Sequence, residues 1–196
     1  MLSFFRRSSA IAEFWKWFSQ NASHFQTEDP LGEMPFKELS KRLHKIDKGL
    51  VAEVKAIAPY ELAISADGIP ELIPKVNKVV EAAPSITGWS VLAFRQPRAE
   101  PARIEFQDRS LTVDDIFFTV RNMKGHANLD IYIDDLEEHN YKHLAHCTFL
   151  LMDSLIGELA VMTMLGELEF LPLSEGNGAD LHPLRELPEL VAQIER

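Results

Sequence analysis

Residues 139 to 158 read HNYKHLAHCTFLLMDSLIGE and gather His139, His143, His146, the only cysteine, Cys147, and two carboxylates, Asp153 and Glu158. Three chemistries use such groups. Zinc takes imidazole and thiolate, and His143 stands at i, i+4 from Cys147 and at i, i+3 from His146, so two or three of them can face one ion on a helix. His139 is excluded from a common site with Cys147, because they are about 12 Å apart along a helix axis. The chain has no second cysteine and neither an H-E-x-x-H nor a C-x-x-C motif. His143, His146 and Cys147 therefore remain candidate ligands in a chain for which no metal and no cofactor is expected. A nucleophilic thiol needs exposure and a lowered pKa, which the middle of a helix does not supply. Asp153 and Glu158 can serve as an acid and base pair only if they converge, and on a continuous helix they point about 140° apart.

Helical projection sharpens the picture. Leu144, Ala145, Phe149, Leu151, Met152, Leu155 and Ile156 fall on one arc, and His139, His143, His146, Cys147, Leu150, Asp153, Ser154 and Gly157 on the other. A solvent face normally carries Lys, Glu, Gln or Arg along its length. The second arc does not, so this helix is expected to be covered on both sides, with the histidines lining a buried surface. Gly157 is expected to end it and Glu158 to begin a strand.

The elements around this helix follow from periodicity. Ile11, Phe14, Trp15, Phe18 and Ala22 recur at helical spacing, with Glu13, Lys16 and Gln20 between them. Arg6, Arg7 and Lys16 beside Trp15 and Trp17 admit a membrane-surface anchor. The few basic residues and Glu13 favour a helix packed on its own domain or on a second copy. TEDPLGEMP then breaks the chain. Over 36 to 49 one helical stripe holds Leu39, Leu43, Ile46 and Leu50, and another holds Lys37, Lys41, Lys45 and Lys48. That lysine row is either a solvated face or a receiver for an anionic partner.

LVAEVKAI and YELAISA read as a strand pair, residues 70 to 83 as a helix with Pro70 and Pro74 in its first turn, and GWSVLAFR as a returning strand. Further strands are expected at 103 to 107, 116 to 122 and 129 to 134. GELAVMTMLGELEFLPL follows the long helix as one strand or a bent pair broken at Gly166. The G-x-G of Gly176 and Gly178 lacks the remainder of a dinucleotide fingerprint and reads as a loop.

Residues 51 to 95 and 116 to 171 thus share an order of strand, strand, helix, strand, with ELAISADG set against LDIYIDD and GWSVLAF against GELAVMT. The expected architecture is α+β. It has one largely antiparallel or mixed sheet with helices on one face, an internal ββαβ duplication and an N-terminal amphipathic helix. The expected organisation is a helix and linker over 1 to 34 and a single domain over 35 to 196.

Composition bounds the function. Thirty acidic residues against twenty basic ones give a formal charge of -10, which repels a polyanion, so nucleic acid is not an expected partner. With 46% hydrophobic residues the chain can bury a sizeable core. One cysteine excludes an internal disulfide. The first residues lack the apolar run and cleavage site of a signal peptide, and no stretch approaches the roughly 20 apolar residues of a membrane span. A soluble, cytoplasmic protein is expected, with no membrane association.

FWKWF at 14 to 18, ELAISADG, LLMDSLIGE and the run Ala83, Pro84, Thr87, Gly88, Trp89, Val91, Ala93, Phe94, Arg95, Pro97, Arg98 resemble the motifs of a group of bacterial cytoplasmic proteins with no assigned reaction. The likeness spans residues 14 to 173. It implies a fold and transfers no mechanism. It places emphasis on Trp89, Arg95, Arg98, Asp153, Gly157 and Glu158, and leaves His139, His143, His146 and Cys147 outside the pattern.

Arg95 and Arg98 leave the end of a strand, where a guanidinium can fork onto a carboxylate of a ligand or of Asp153 or Glu158. Two function classes follow. The first is a non-catalytic interaction or regulatory protein that binds another protein, or itself through the N-terminal helix. The second is a small-molecule binder or enzyme with Trp89, Arg95, Arg98, Asp153 and Glu158 around a pocket. The lack of a catalytic signature favours the first.

Overall fold

The computed structural model describes residues 2–26, 34–106 and 109–194, and their side chains except those of 2–9, 106 and 109. Of the linker expected over residues 27–35, residues 27–33 lie outside the described residues, as do the side chains of Arg6 and Arg7, and Met34 and Pro35 belong to a helix and not to the linker. The chain divides into two compact units, Met1–Arg95 and Gln96–Arg196. Residues 1–95 hold 12 Lys and Arg against 11 Asp and Glu, and residues 96–196 hold 8 against 19. Formal charges of +1 and -11 result, which together make the -10 of the whole chain.

In the first unit, helix α1 (Leu2–Asn21) is followed by α2 (Met34–Leu43), β1 (Val51–Lys55), β2 (Tyr60–Ser65), α3 (Ile73–Glu81) and β3 (Trp89–Ala93). β2 lies between β1, with which it is antiparallel, and β3, with which it is parallel. The Ala58–Pro59 peptide in the β1–β2 connection is cis. The apolar stripe read from α1 is core: Phe14, Trp15 and Phe18 are buried. Trp15 Nε1 donates to the Val79 carbonyl on α3 at 2.8 Å, and Phe18 meets Trp89 edge-on at 5.2 Å. Among the described side chains of this helix, the stripe from Ile11 to Phe18 is thus spent inside this unit. Trp17 lies beneath the Arg42 guanidinium, 4.9 Å from its ring centre.

In the second unit a short antiparallel pair, β4 (Ile104–Phe106) and β5 (Arg109–Leu111), precedes β6 (Ile116–Met123) and β7 (Ala127–Ile133). Then come α4 (Tyr141–Ile156), α5 (Glu158–Met164), β8 (Leu165–Pro172), β9 (His182–Pro183) and α6 (Leu187–Val191). The sheet order is β8-β7-β6-β9, with β7 antiparallel to β6 and parallel to β8. Ala127, Leu129, Ile131 and Ile133 of β7 pack with Leu144, Cys147, Leu151 and Met152 of α4 in one core.

The α+β class is observed, with the strands spread over three sheets. Each unit contains an antiparallel hairpin, then helix, then a strand parallel to the hairpin's second strand. The shared grammar extends to the backbone: Asp67 after β2 and Asp135 after β7 both have positive φ, 50° and 55°. Asp tolerates this left-handed region better than most residues.

Two expectations are corrected. GELAVMT is the helix α5, so the counterpart of β3 is β8 and not that segment. Glu158 starts α5 and not a strand; Glu, Leu, Ala and Met favour a helix, and that propensity outweighs the short alternation. β5 and β9 are additional strands that periodicity did not mark, being three and two residues long.

Candidate functional site

Arg95 leaves β3 at its end, where its side chain is only 11% exposed. The guanidinium forks onto two carboxylates of its own unit: Nε on Glu53 of β1, and Nη2 on Asp67 in the turn after β2 at 3.0 Å. Its geometry is explained locally. Glu53 sits opposite Ala63 on the antiparallel pair, and Asp67 is held by its own amide donating to Ser65 Oγ at 2.9 Å. The arginine therefore ties the edge strand to the turn.

Trp89 stacks on Tyr60, its register partner on β2, at 5.5 Å and 28°. Its Nε1 is enclosed and has no hydrogen-bond partner. Arg98 has an exposed side chain, while its amide donates to the Ser154 carbonyl at 2.8 Å. Asp153 and Glu158 are both buried, on either side of Gly157. Ser154 was not singled out by sequence, and it is the clamp of this region. Its Oγ donates to the Leu151 carbonyl at 2.7 Å and accepts from the Ala102 amide at 3.0 Å. A serine among Leu, Met and Ile was the available signal.

The histidine-rich arc is corrected. His143 and His146 are exposed, whereas Cys147 and Thr148 are buried, so the helix is amphipathic over its first half and enclosed only from Leu151 to Ser154. The Thr148 hydroxyl satisfies itself on the Leu144 carbonyl at 2.8 Å. Among the described residues no three of His, Cys, Asp and Glu converge as a metal would require. Burial pushes the Cys147 thiol up, against a smaller lowering by a backbone hydrogen bond. Such a thiol is a weak nucleophile.

The lysine row is helical only as far as Lys41: α2 ends at Leu43, and Lys45 and Lys48 stand in the turns that follow, not on the helical stripe expected over 36 to 49. Phe36, Lys37, Ser40, Lys41, His44, Lys45 and Lys48 line an open concavity of about 1010 Å³ along α2 and the turns that follow it. The helix buries Leu39 and Leu43 on its other side, which turns the lysines outward. Lys41 lies 3.7 Å from Glu38; Lys45 and Lys48 have no carboxylate partner among the described residues. Phe36, half-buried, is among the lining residues, and its ring lies edge-on to Phe25 at 5.4 Å. A smaller cavity of about 360 Å³ in the second unit is lined by Ser110, Asp114, Asp115 and Asp134. There Asp114 pairs with Arg185, and Asp115 accepts from the amide and hydroxyl of Thr112.

Comparison with family models, with curated proteins and with solved structures returns no match.

Proposed function

We propose that this chain is a non-catalytic protein-interaction module whose contact surface is the α2 concavity. One observation carries the reading: an outward row of lysines, two of them without a carboxylate partner among the described residues, lines an open, shallow surface in a chain of net negative charge. Like charges at i, i+4 destabilise a helix slightly, and a bound anionic group reverses the sign of that term. The small-molecule reading asks Arg95 to offer its guanidinium to a ligand, and that fork already holds Glu53 and Asp67. The motif resemblance supports a bacterial, soluble and cytoplasmic setting for such a module.

The test is a photo-cross-linking residue at exposed Ser40, in the native cell, with the same probe at exposed Lys124 of the second unit as control. A discrete protein adduct at position 40 that disappears in the K41E/K45E/K48E variant is expected. Adduct yields at 40 no higher than at 124 overturn the reading.

A further inference from the structure

A separate surface lies in the second unit, where we infer that the outer edge of β8 receives an extended basic segment of a partner protein as one more strand of the sheet. β8 stands last in the order β8-β7-β6-β9 and pairs only with β7 among the described residues. Along its eight residues every second one turns its N–H and C=O away from β7, and no hydrogen bond receives them there among the described residues. Such a row of main-chain groups is a template for strand addition.

The side chains along the edge select the chemistry of the added strand. On one face Glu169 stands beside its register partner Asp130, while Arg121 reaches Asp130 at 2.8 Å and the Glu167 carbonyl at 3.1 Å. Three carboxylates there meet one guanidinium. Glu169 is exposed with no cationic partner among the described residues, and the Glu167 side chain is 82% exposed although Arg121 lies 3.7 Å away. A strand laid alongside sets alternate side chains directly opposite these two, where opposite charges stabilise a cross-strand pair and like charges destabilise it. Lysine or arginine at i and i+2 is therefore selected. On the other face Phe170 packs against Tyr141 and Phe149 of α4, with ring centres at 6.1 and 5.7 Å, while Leu168 is half-buried and Tyr141 stays exposed. An apolar residue between the two basic ones meets that face.

A second copy fits this edge less well. Two β8 edges meeting antiparallel set Glu167 and Glu169 against the same glutamates of the other copy, and two units of formal charge -11 repel one another. Charged residues on an edge strand commonly prevent pairing between like edges. The same two glutamates admit a basic strand, so one feature excludes the wrong partner and favours the right one.

The experiment is a fluorescence-anisotropy titration of the full chain with a labelled peptide of alternating lysine and valine that matches the eight residues of β8. The comparison peptide is N-methylated at two adjacent central residues, which blocks main-chain bonding on both of its edges and keeps its charge. The comparison proteins are E167K/E169K and D180K/E189K, the second making the same change of charge at exposed positions elsewhere in the unit. Saturable binding is expected, weaker by about tenfold or more for the N-methylated peptide and in E167K/E169K, and close to the parent in D180K/E189K. Hydrogen exchange over residues 165–172 is expected to slow in the complex. All four substituted residues are exposed, so both variants are expected to keep their melting temperature; the N-methylated peptide is tested on the parent chain and decides the matter without them. Absence of binding by the alternating peptide overturns the inference, as does equal binding of the N-methylated one, equal loss in the two variants, or protection confined to residues outside β8. A dimer of the chain alone in sedimentation, with residues 165–172 already protected, overturns it in favour of a second copy.

Discussion

At the scale of single residues, Arg95 and Cys147 show how environment fixes role. Arg95→Ala leaves Glu53 and Asp67 facing one another without their shared cation. Because both carboxylates are about a third exposed, the cost is expected to be modest, about 1 kcal/mol, read as a lower urea midpoint followed by tryptophan fluorescence. Arg95→Lys is expected to recover only part of it, since an ammonium cannot fork. An unchanged midpoint in Arg95→Ala would remove the tie between edge strand and turn. Cys147 sits at 2% exposure with its thiol raised chiefly by desolvation. The folded protein is expected to react with iodoacetamide far more slowly than the urea-unfolded chain. The sign of the linkage follows: with the folded pKa above the unfolded one, the unfolded thiol ionises first, so this contribution to stability is intact below the ordinary thiol pKa and is lost as pH rises past it. Cys147→Ala is expected to flatten that part of the pH profile, at the cost of a small cavity. A profile of unchanged slope in the variant would show that the thiol does not contribute.

Elements are where sequence reading succeeded and failed for identifiable reasons. The hairpins, α3, α4 and the strands β3, β6 and β7 were legible because period 2 and period 3.6 are both enforced by one buried face. The repeated ββαβ order was legible for the same reason, but its last strand was misplaced, since GELAVMT satisfies alternation and helix propensity together and only packing decides between them. The site residues divide in the same manner. Arg95, Trp89 and the lysine row were visible as residue types at marked positions. The partners Glu53, Tyr60 and Asp67 come from neighbouring strands and turns, and register brings them close, which no local window contains. Gly157 is the hinge of this region, with φ 83° and ψ 145°. It joins α4 to α5 across a bend of 104°. That conformation is almost confined to glycine, so Gly157→Ala is expected to cost about 1 to 3 kcal/mol, measurable as a lower thermal midpoint by circular dichroism. A midpoint within error of the parent would mean that the bend tolerates a Cβ and another residue sets it.

For the molecule as a whole, charge and chromophores are divided unequally, and the division makes the two units separately observable. All three tryptophans, Trp15, Trp17 and Trp89, lie in the unit of formal charge +1, whereas the unit of -11 has none. Nineteen carboxylates against eight bases within about a hundred residues repel one another, and unfolding lets them separate. Added salt screens that repulsion and so stabilises the acidic unit, while it leaves the near-neutral unit almost unaffected. Raising sodium chloride from 0.05 to 0.5 M is therefore expected to lift the unfolding midpoint seen by far-ultraviolet circular dichroism, which follows both units. The midpoint seen by tryptophan fluorescence is expected to stay nearly constant. A gain of about 1 kcal/mol in a unit of this size corresponds to roughly 4 to 8 °C, well within measurement. The direction also separates this effect from the salt dependence of partner binding, because screening strengthens the acidic unit while it weakens the lysine groove. If both probes move upward together by the same amount, the salt effect belongs to the chain as one cooperative body. The assignment to the acidic unit then fails.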